Sequence, residues 1–291
     1  MPALAAAGHT PVLFDFRPLQ TEHEFVEGDV RNAAAVTSVM PGVDVVVHGA
    51  ALHGIHLGNW SAQDFWSINV DGTFNVYEAG RAAGVRSVVL GSSMVVYGDI
   101  GAGGDPWQVV TEQSALRPAN LYGLTKVVSE QTARYYADTT DISTVALRLG
   151  MFVPETFERY GFRLLFGGVD DRDVAQAVVS AVDHRPEGGF DAFDIMADSG
   201  LDAGDVARLH ADVLSVLDER WPGTAELVRA RNLDIGELVW GRRIYPVDRA
   251  RTVLGYEPRY DFGSFLDALR NGDRSHYPFA DEPWWGAERP T

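Results

Sequence analysis

The residues best suited to chemistry in this 291-residue chain are one tyrosine, one lysine and one serine. Of 24 basic residues only one is lysine, Lys126, and it follows Tyr122 by four positions in Pro118-Ala119-Asn120-Leu121-Tyr122-Gly123-Leu124-Thr125-Lys126. Arginine is too basic and too forked to replace a compact ammonium beside a phenol. Positions i and i+4 share one face of a helix, so the two side chains would stand together. The phenol is a general acid or base with an ordinary pKa of about 10, and a nearby ammonium favours the phenolate. Ser93 lies in Gly91-Ser92-Ser93-Met94-Val95-Val96-Tyr97-Gly98, directly after a β-branched run. That places its hydroxyl at the carboxyl end of a strand, where open α/β sheets bind ligands. The three groups together can take a proton from an alcohol while hydride leaves its carbon.

The elements that must position them are legible as alternating runs. Residues 11–15, 24–30, 43–48, 87–90, 142–147 and 190–196 read as strands, the third and fourth of them β-branched like buried parallel strands. Residues 64–83, 118–137, 172–182, 206–217, 247–254 and 262–269 read as helices. Strands alternating with helices over the first 150 residues predict an α/β fold, a doubly wound parallel sheet. A Rossmann-like core over 1–150 is expected, with a small substrate-binding region over 151–291 and with 169–197 returning to the core. The tail from Asp273, with Pro278, Pro283, Trp284, Trp285 and Pro290, reads as an irregular arm packed by its aromatics or as partly disordered chain.

Composition narrows the function. There is no cysteine, which excludes a disulfide framework, a thiolate nucleophile and cysteine-ligated metal sites, and which fits a cytoplasmic protein. A formal charge of −17 repels phosphate backbones and anionic membranes, so neither nucleic acid nor membrane is expected as a partner. No stretch has the length and apolarity of a membrane span, and no basic region precedes Ala3–Ala7, so that run does not read as a signal peptide. A small-molecule substrate remains.

Several motifs in order give the chain a family likeness. They are His48-Gly49-Ala50-Ala51, Asn69-Val70-Asp71-Gly72-Thr73-Phe74-Asn75-Val76, Ser92-Ser93-x-x-x-Tyr97-Gly98, Tyr122-x-x-x-Lys126, Leu147-Arg148, and Val247-Asp248-Arg249-Ala250-Arg251-x-x-Leu254-Gly255-Tyr256-x-Pro258. Each is weak alone; the ordered set, spanning almost the whole chain, resembles the extended short-chain dehydrogenase/reductases of the NAD-dependent epimerase/dehydratase group. The resemblance implies Ser93, Tyr122 and Lys126 as the catalytic group, with Lys126 also on the nicotinamide ribose. It implies Asp15 on the adenosine ribose, Asp29 and Val30 near the adenine, and the turn from His48 through Ala50 and Ala51 against the dinucleotide. A carboxylate at Asp15 accepts ribose hydroxyls and repels a 2′-phosphate, which favours NAD; Arg17 keeps NADP open. A homodimer through the helices of 64–83 and 118–137 is also implied.

Two departures from the family pattern stand out. The Gly-x-x-Gly-x-x-Gly turn that would hold the pyrophosphate is absent. Leu4 to Thr10 looks like the end of the helix after that turn, so the Rossmann-like core reads as N-terminally truncated by roughly 20 residues, a strand and most of a helix. Gly101-Ala102-Gly103-Gly104 follows the serine strand and reads as a solvated loop, with no helix opening at Asp105-Pro106. Either the polypeptide begins upstream of Met1, which the intact remainder favours, or cofactor binding is lost or remodelled. The missing strand is normally central, and its removal would unpair backbone groups on both sides.

The second departure is a short substrate segment. Only Glu155 to Gly168 separates Val153-Pro154 from Val169-Asp170-Asp171, which resembles uronate and related hexose dehydrogenases more than sugar-nucleotide enzymes. Arg159 and Arg163 lie there and could hold a carboxylate bidentately, or be surface arginines. Met94 and Val95 stand where the dehydratases carry an acidic pair, which disfavours dehydration. His53 faces the crevice as a substrate contact or a plain loop residue; with His56 it lacks a third metal ligand, so no metal is expected. Asp170-Asp171-Arg172-Asp173 reads as a solvated helix N-terminus. The expected activity is an NAD(P)-dependent oxidoreductase or epimerase acting on a sugar, sugar acid or similar small alcohol. The alternative is a non-catalytic or cofactor-independent relative that uses the crevice to bind a small molecule or a partner subunit.

Overall fold

The computed structural model of the chain describes residues 1–98, 107–239 and 241–282. The loop expected at Gly101–Gly104 and the Pro283, Trp284, Trp285 and Pro290 end of the tail lie outside the described residues. The chain opens with a short helix, α1 (Pro2–Ala6), and two strands, β1 (Val12–Asp15) and β2 (Glu24–Glu27). Helix α2 (Ala33–Val39) leads to β3 (Val45–His48). A continuous helical stretch follows, made of α3 (Ala62–Phe65), a π-helical segment Trp66–Asp71 and α4 (Gly72–Ala83), and then comes β4 (Ser87–Ser93). Next are β5 (Gln108–Val109), α5 (Leu121–Thr139), β6 (Ser143–Leu149), α6 (Phe157–Arg163), α7 (Asp171–Asp183) and β7 (Phe190–Ile195). Four helices, α8 (Val206–Ala211), α9 (Val213–Arg220), α10 (Thr224–Ala230) and α11 (Ile235–Leu238), precede β8 (Arg243–Ile244) and α12 (Phe262–Asn271).

Every strand pairing among the described residues is parallel, and the main sheet has the order β3-β4-β6-β7. Its two faces are both covered. Val88, Leu90, Ala146 and Ala192 turn to the face of α4 and α5, where Tyr77, Ala133 and Tyr136 meet them. Val89, Val145, Leu147, Phe193 and Ile195 turn to the other face, against Ala177, Ala181 and Val182 of α7. Alternate residues along a strand point to opposite faces, so strands apolar at every position must be covered twice.

The sheet is interrupted at one place. β1 pairs with β2 alone and β3 with β4 alone, among the described residues, leaving β1 and β3 with one open edge each. The two open strands share a hydrophobic cluster, in which Phe14 of β1 and Val46 of β3 pack around Val36, Met40 and Val76. Val12 is 43% exposed and Val47 41%, a high exposure for β-branched residues of a buried-type run. The break falls where the central strand was expected to be wanting.

Several sequence readings need adjustment. The helix expected over 206–217 is two helices, because Asp212 is extended (φ −159°) and caps α9 through the Ser215 N–H. The helix expected over 247–254 is a single π turn, Ala250–Leu254. Asp170 and Asp173 are buried and engaged at the start of α7, a correction to the solvated terminus expected there. Asp170 takes Arg172 and the Tyr160 hydroxyl, and Asp173 takes the Arg259 and Tyr260 N–H groups. The acids hold the C-terminal region onto α7 as well as suiting the helix dipole. That region has its own core, with Phe157, Phe162, Leu217, Phe262 and Phe265 fully buried. The tail is packed as far as it is described, through Tyr277, which stacks on Tyr160 at 3.8 Å.

Candidate active site

The carboxyl end of β4 and the first turns of α5 carry the serine, tyrosine and lysine. Asn120 starts α5 by accepting the Gly123 N–H at 2.8 Å, a normal N-cap. A Cβ on Gly123 would stand 3.0 Å from the Val95 carbonyl oxygen, so glycine lets this turn press against the chain just after Ser93. The Ser93 hydroxyl acts on the Tyr122 phenol, lowering its pKa. Lys126, one turn on, donates from Nζ to the Gly91 carbonyl at 2.6 Å, with Nζ 5.8 Å from the centre of the Tyr122 ring. The strand end and helix start thus bring the three residues together.

Their electrostatics differ from expectation in one respect. Burial pushes the Tyr122 phenol up to about 12, with the Ser93 hydroxyl opposing. The ammonium is directed to a carbonyl, so it does not offset that burial. Burial also brings Lys126 down to about 8, with the Glu130 charge opposing. At neutral pH the resting state is therefore a protonated phenol beside a protonated ammonium.

The loop after β3 closes over this pair. His53 caps the 3-10 turn Gly54–His56, and its ring lies 4.9 Å from that of Tyr122. Burial, then Lys126, brings its pKa down to about 4, so it is neutral. His48 is buried against the Thr73 hydroxyl at 3.0 Å and brought to about 3 by burial, so its ring faces the interior. Ala50 is exposed on the loop and Ala51 is half-buried.

The residues expected around a dinucleotide sit at the ends of β1 and β2. Asp15 ends β1, and one of its oxygens accepts the Arg17 N–H at 2.9 Å. Asp29 is clasped by Arg31, Nη2 to Oδ2 at 2.5 Å, which lowers its pKa. The Val30 carbonyl accepts from Asn75 of α4. A carboxylate at a strand end and a buried ammonium beside the tyrosine fit the two riboses of NAD. No glycine-rich turn lies among the described residues to hold its pyrophosphate.

Met94 is buried directly after Ser93, where its methyl group closes on Gly167. Arg163 is buried rather than superficial. Its Nη1 donates to the Val153 carbonyl and to Glu155, both at 2.9 Å, while Nε and Nη2 are buried with no hydrogen-bond partner. Arg159 is exposed on α6.

Some residues that shape the site were in view without a role. Asn69, within the π-helical segment, accepts the Leu52 N–H at 2.7 Å and donates to the Leu52 carbonyl and to Thr125 Oγ1. It pins the histidine loop to α5. Glu130 continues the Tyr122–Lys126 spacing by another four residues, a signal legible in the sequence.

Residues 1–160 match the family model described as the NAD dependent epimerase/dehydratase family. The chain belongs to that family. It is 28% identical to a UDP-glucose 4-epimerase of Rhizobium meliloti over 92% of this chain and 90% of that one. It is 30% identical to a uronate dehydrogenase of Pseudomonas putida over 45% of this chain and 46% of that one. The fold is that of a short-chain dehydrogenase/reductase superfamily protein from Agrobacterium tumefaciens solved with bound NAD. The TM-score is 0.66 at 23% identity, covering 94% of this chain and 92% of the other. The protein is an NAD-dependent enzyme of the epimerase and dehydrogenase class.

Proposed function

We propose that the chain oxidises a secondary hydroxyl of a sugar or sugar acid at Ser93, Tyr122 and Lys126. The observation that carries this reading is the placement of Ser93 at the carboxyl end of β4 beside Tyr122, with Lys126 one turn on and its Nζ held at the Gly91 carbonyl. Ser93 holds the reacting oxygen in line with the phenol. Tyr122 takes the hydroxyl proton in oxidation and returns it to a carbonyl in reduction. A phenol held protonated at neutral pH is ready for the second task. For the first, Lys126 Nζ must turn from Gly91 toward the phenol oxygen, where its charge favours the phenolate. NAD, when bound, accepts the hydride; Lys126 would grip its nicotinamide ribose and Asp15 its adenosine ribose. His53, neutral and against the phenol, lines the substrate side with Met94.

Arg163 supports a sugar acid. The Nε–Nη2 edge of a guanidinium matches both oxygens of a carboxylate; that of Arg163 is buried, with Tyr277 near it, and the Arg163 stem packs on Gly168, next to the Gly167 that Met94 touches. Dehydration lacks an acid at Met94. A homodimer would use the exposed Phe74 and Tyr135 of α4 and α5.

The test is NADH fluorescence with a panel of hexuronates, aldoses and their nucleotide sugars. Oxidation of a hexuronate, lost in Arg163→Met, supports the acid reading. Tyr122→Phe should abolish turnover while leaving the melting temperature unchanged. Activity surviving to within about tenfold would remove Tyr122 from the mechanism.

A further inference from the structure

Three consecutive residues of β4 are each tied to a successive turn of α5. Ser93 meets Tyr122, the Gly91 carbonyl takes Lys126, and the Ser92 hydroxyl donates to Glu130 Oε1 at 2.6 Å. Glu130 is fully buried, and Arg148 holds it from the other side, Nε to Oε1 at 3.0 Å and Nη2 to Oε2 at 2.8 Å. Ser92, Arg148 and Asp194 are direct partners across β4, β6 and β7. They form a polar row on the α5 face of the sheet, where the preceding layer is Leu90, Ala146 and Ala192. Tyr97 closes the row, accepting from Arg148 Nη1 at 2.8 Å and donating to Asp194 at 2.7 Å.

A buried ion pair is a poor way to gain stability, since an apolar replacement of equal volume often does as well. What distinguishes this pair is its place, holding Ser92, the chain neighbour of Ser93, and lying one helical turn from Lys126. The groups acting on Lys126 come from every side. They are His48 of β3, His53 of the following loop, the Gly91 carbonyl of β4, and Tyr122 and Glu130 of its own helix. The histidines and the phenol are neutral, which leaves Glu130 as the anion that acts on Lys126 among the described residues.

We propose that Glu130 is a positioning residue: braced by Arg148, it fixes Ser92, and so Ser93 against Tyr122, and its charge balances that of Lys126. The first half rests on the catalytic reading above; the second does not.

The single lysine makes the second half directly measurable. Protein grown on lysine isotopically labelled at Cε shows one lysine side-chain signal, whose pH titration reports Lys126 alone. The wild-type midpoint should lie near 8. Glu130→Gln should lower it by about one pH unit or more. Because that variant leaves Arg148 without a counter-charge, the double variant Glu130→Leu with Arg148→Met provides a second route that removes both charges. Its midpoint should fall by less, because a cation leaves together with the anion, while the fold persists. A midpoint unmoved in folded Glu130→Gln protein overturns the electrostatic role whether or not the chain turns over substrate. Ser92→Ala keeps both charges, so the lysine midpoint should stay while kcat falls about tenfold at unchanged KM. An unchanged kcat overturns the positioning of Ser93.

Discussion

Asp194→Asn should stabilise the protein, and increasingly so as pH rises from 4 to 8. Asp194 is completely buried in β7, with one oxygen accepting from Tyr97 and the other without a partner. Burial, reinforced by the charge of Glu112, pushes its pKa from 3.8 up to about 8, with Tyr97 and Arg148 opposing and Glu130 adding. At neutral pH the folded protein therefore holds a proton there that the unfolded chain releases. A raised folded-state pKa gives stability that is complete below the unfolded value and is lost as pH rises through the folded one. Since pH 7 lies about three units above the ordinary value, at about 1.4 kcal/mol per unit, the loss there is about 4 kcal/mol. Asparagine has the shape of the protonated acid and titrates not at all. The variant should match the wild type near pH 4, exceed it by about 4 kcal/mol at pH 7, and gain little more beyond pH 8. Urea unfolding at several pH values measures the difference. A variant less stable than wild type at pH 7, or a difference independent of pH, would refute the account of a protonated Asp194.

Two further outcomes follow from the same physics. Lys126→Met should abolish turnover yet raise stability by about 3 kcal/mol below pH 8, because it removes a buried ammonium whose folded pKa is depressed from 10.5 to about 8. That gain should shrink as pH rises from about 8 toward 10.5, the range in which the folded wild-type lysine is neutral; thermal melts across that range check it. Asn69→Ala should cost about 3 kcal/mol by removing three buried hydrogen bonds. It should also lower kcat by freeing the loop that carries His53, as urea titration and steady-state kinetics would show.

The strands and long helices were legible because burial on two faces or on one stripe writes itself into residue periodicity. Tyr122 and Lys126 were legible for the same reason, being one helical turn apart. The split of 206–217 was not, since Asp212 looks like any polar position until it caps the following helix. The burial of Asp173 was equally hidden, because its partners Arg259 and Tyr260 come from more than 80 residues away in sequence.

Sequence alone determined the parallel α/β architecture, the family, and the three residues most suited to proton transfer, all of which rest on local spacing and ordered motifs. The tertiary structure decided how those residues are charged and held. Lys126 faces the Gly91 carbonyl, Tyr122 stays protonated, and Arg163 is buried against Glu155. The row Ser92–Arg148–Asp194 exists through the register of three strands. The gap between β1 and β3 became visible as two open edges on one hydrophobic cluster. Register, burial and the partner across a sheet depend on contacts between distant segments, which no single stretch of sequence contains.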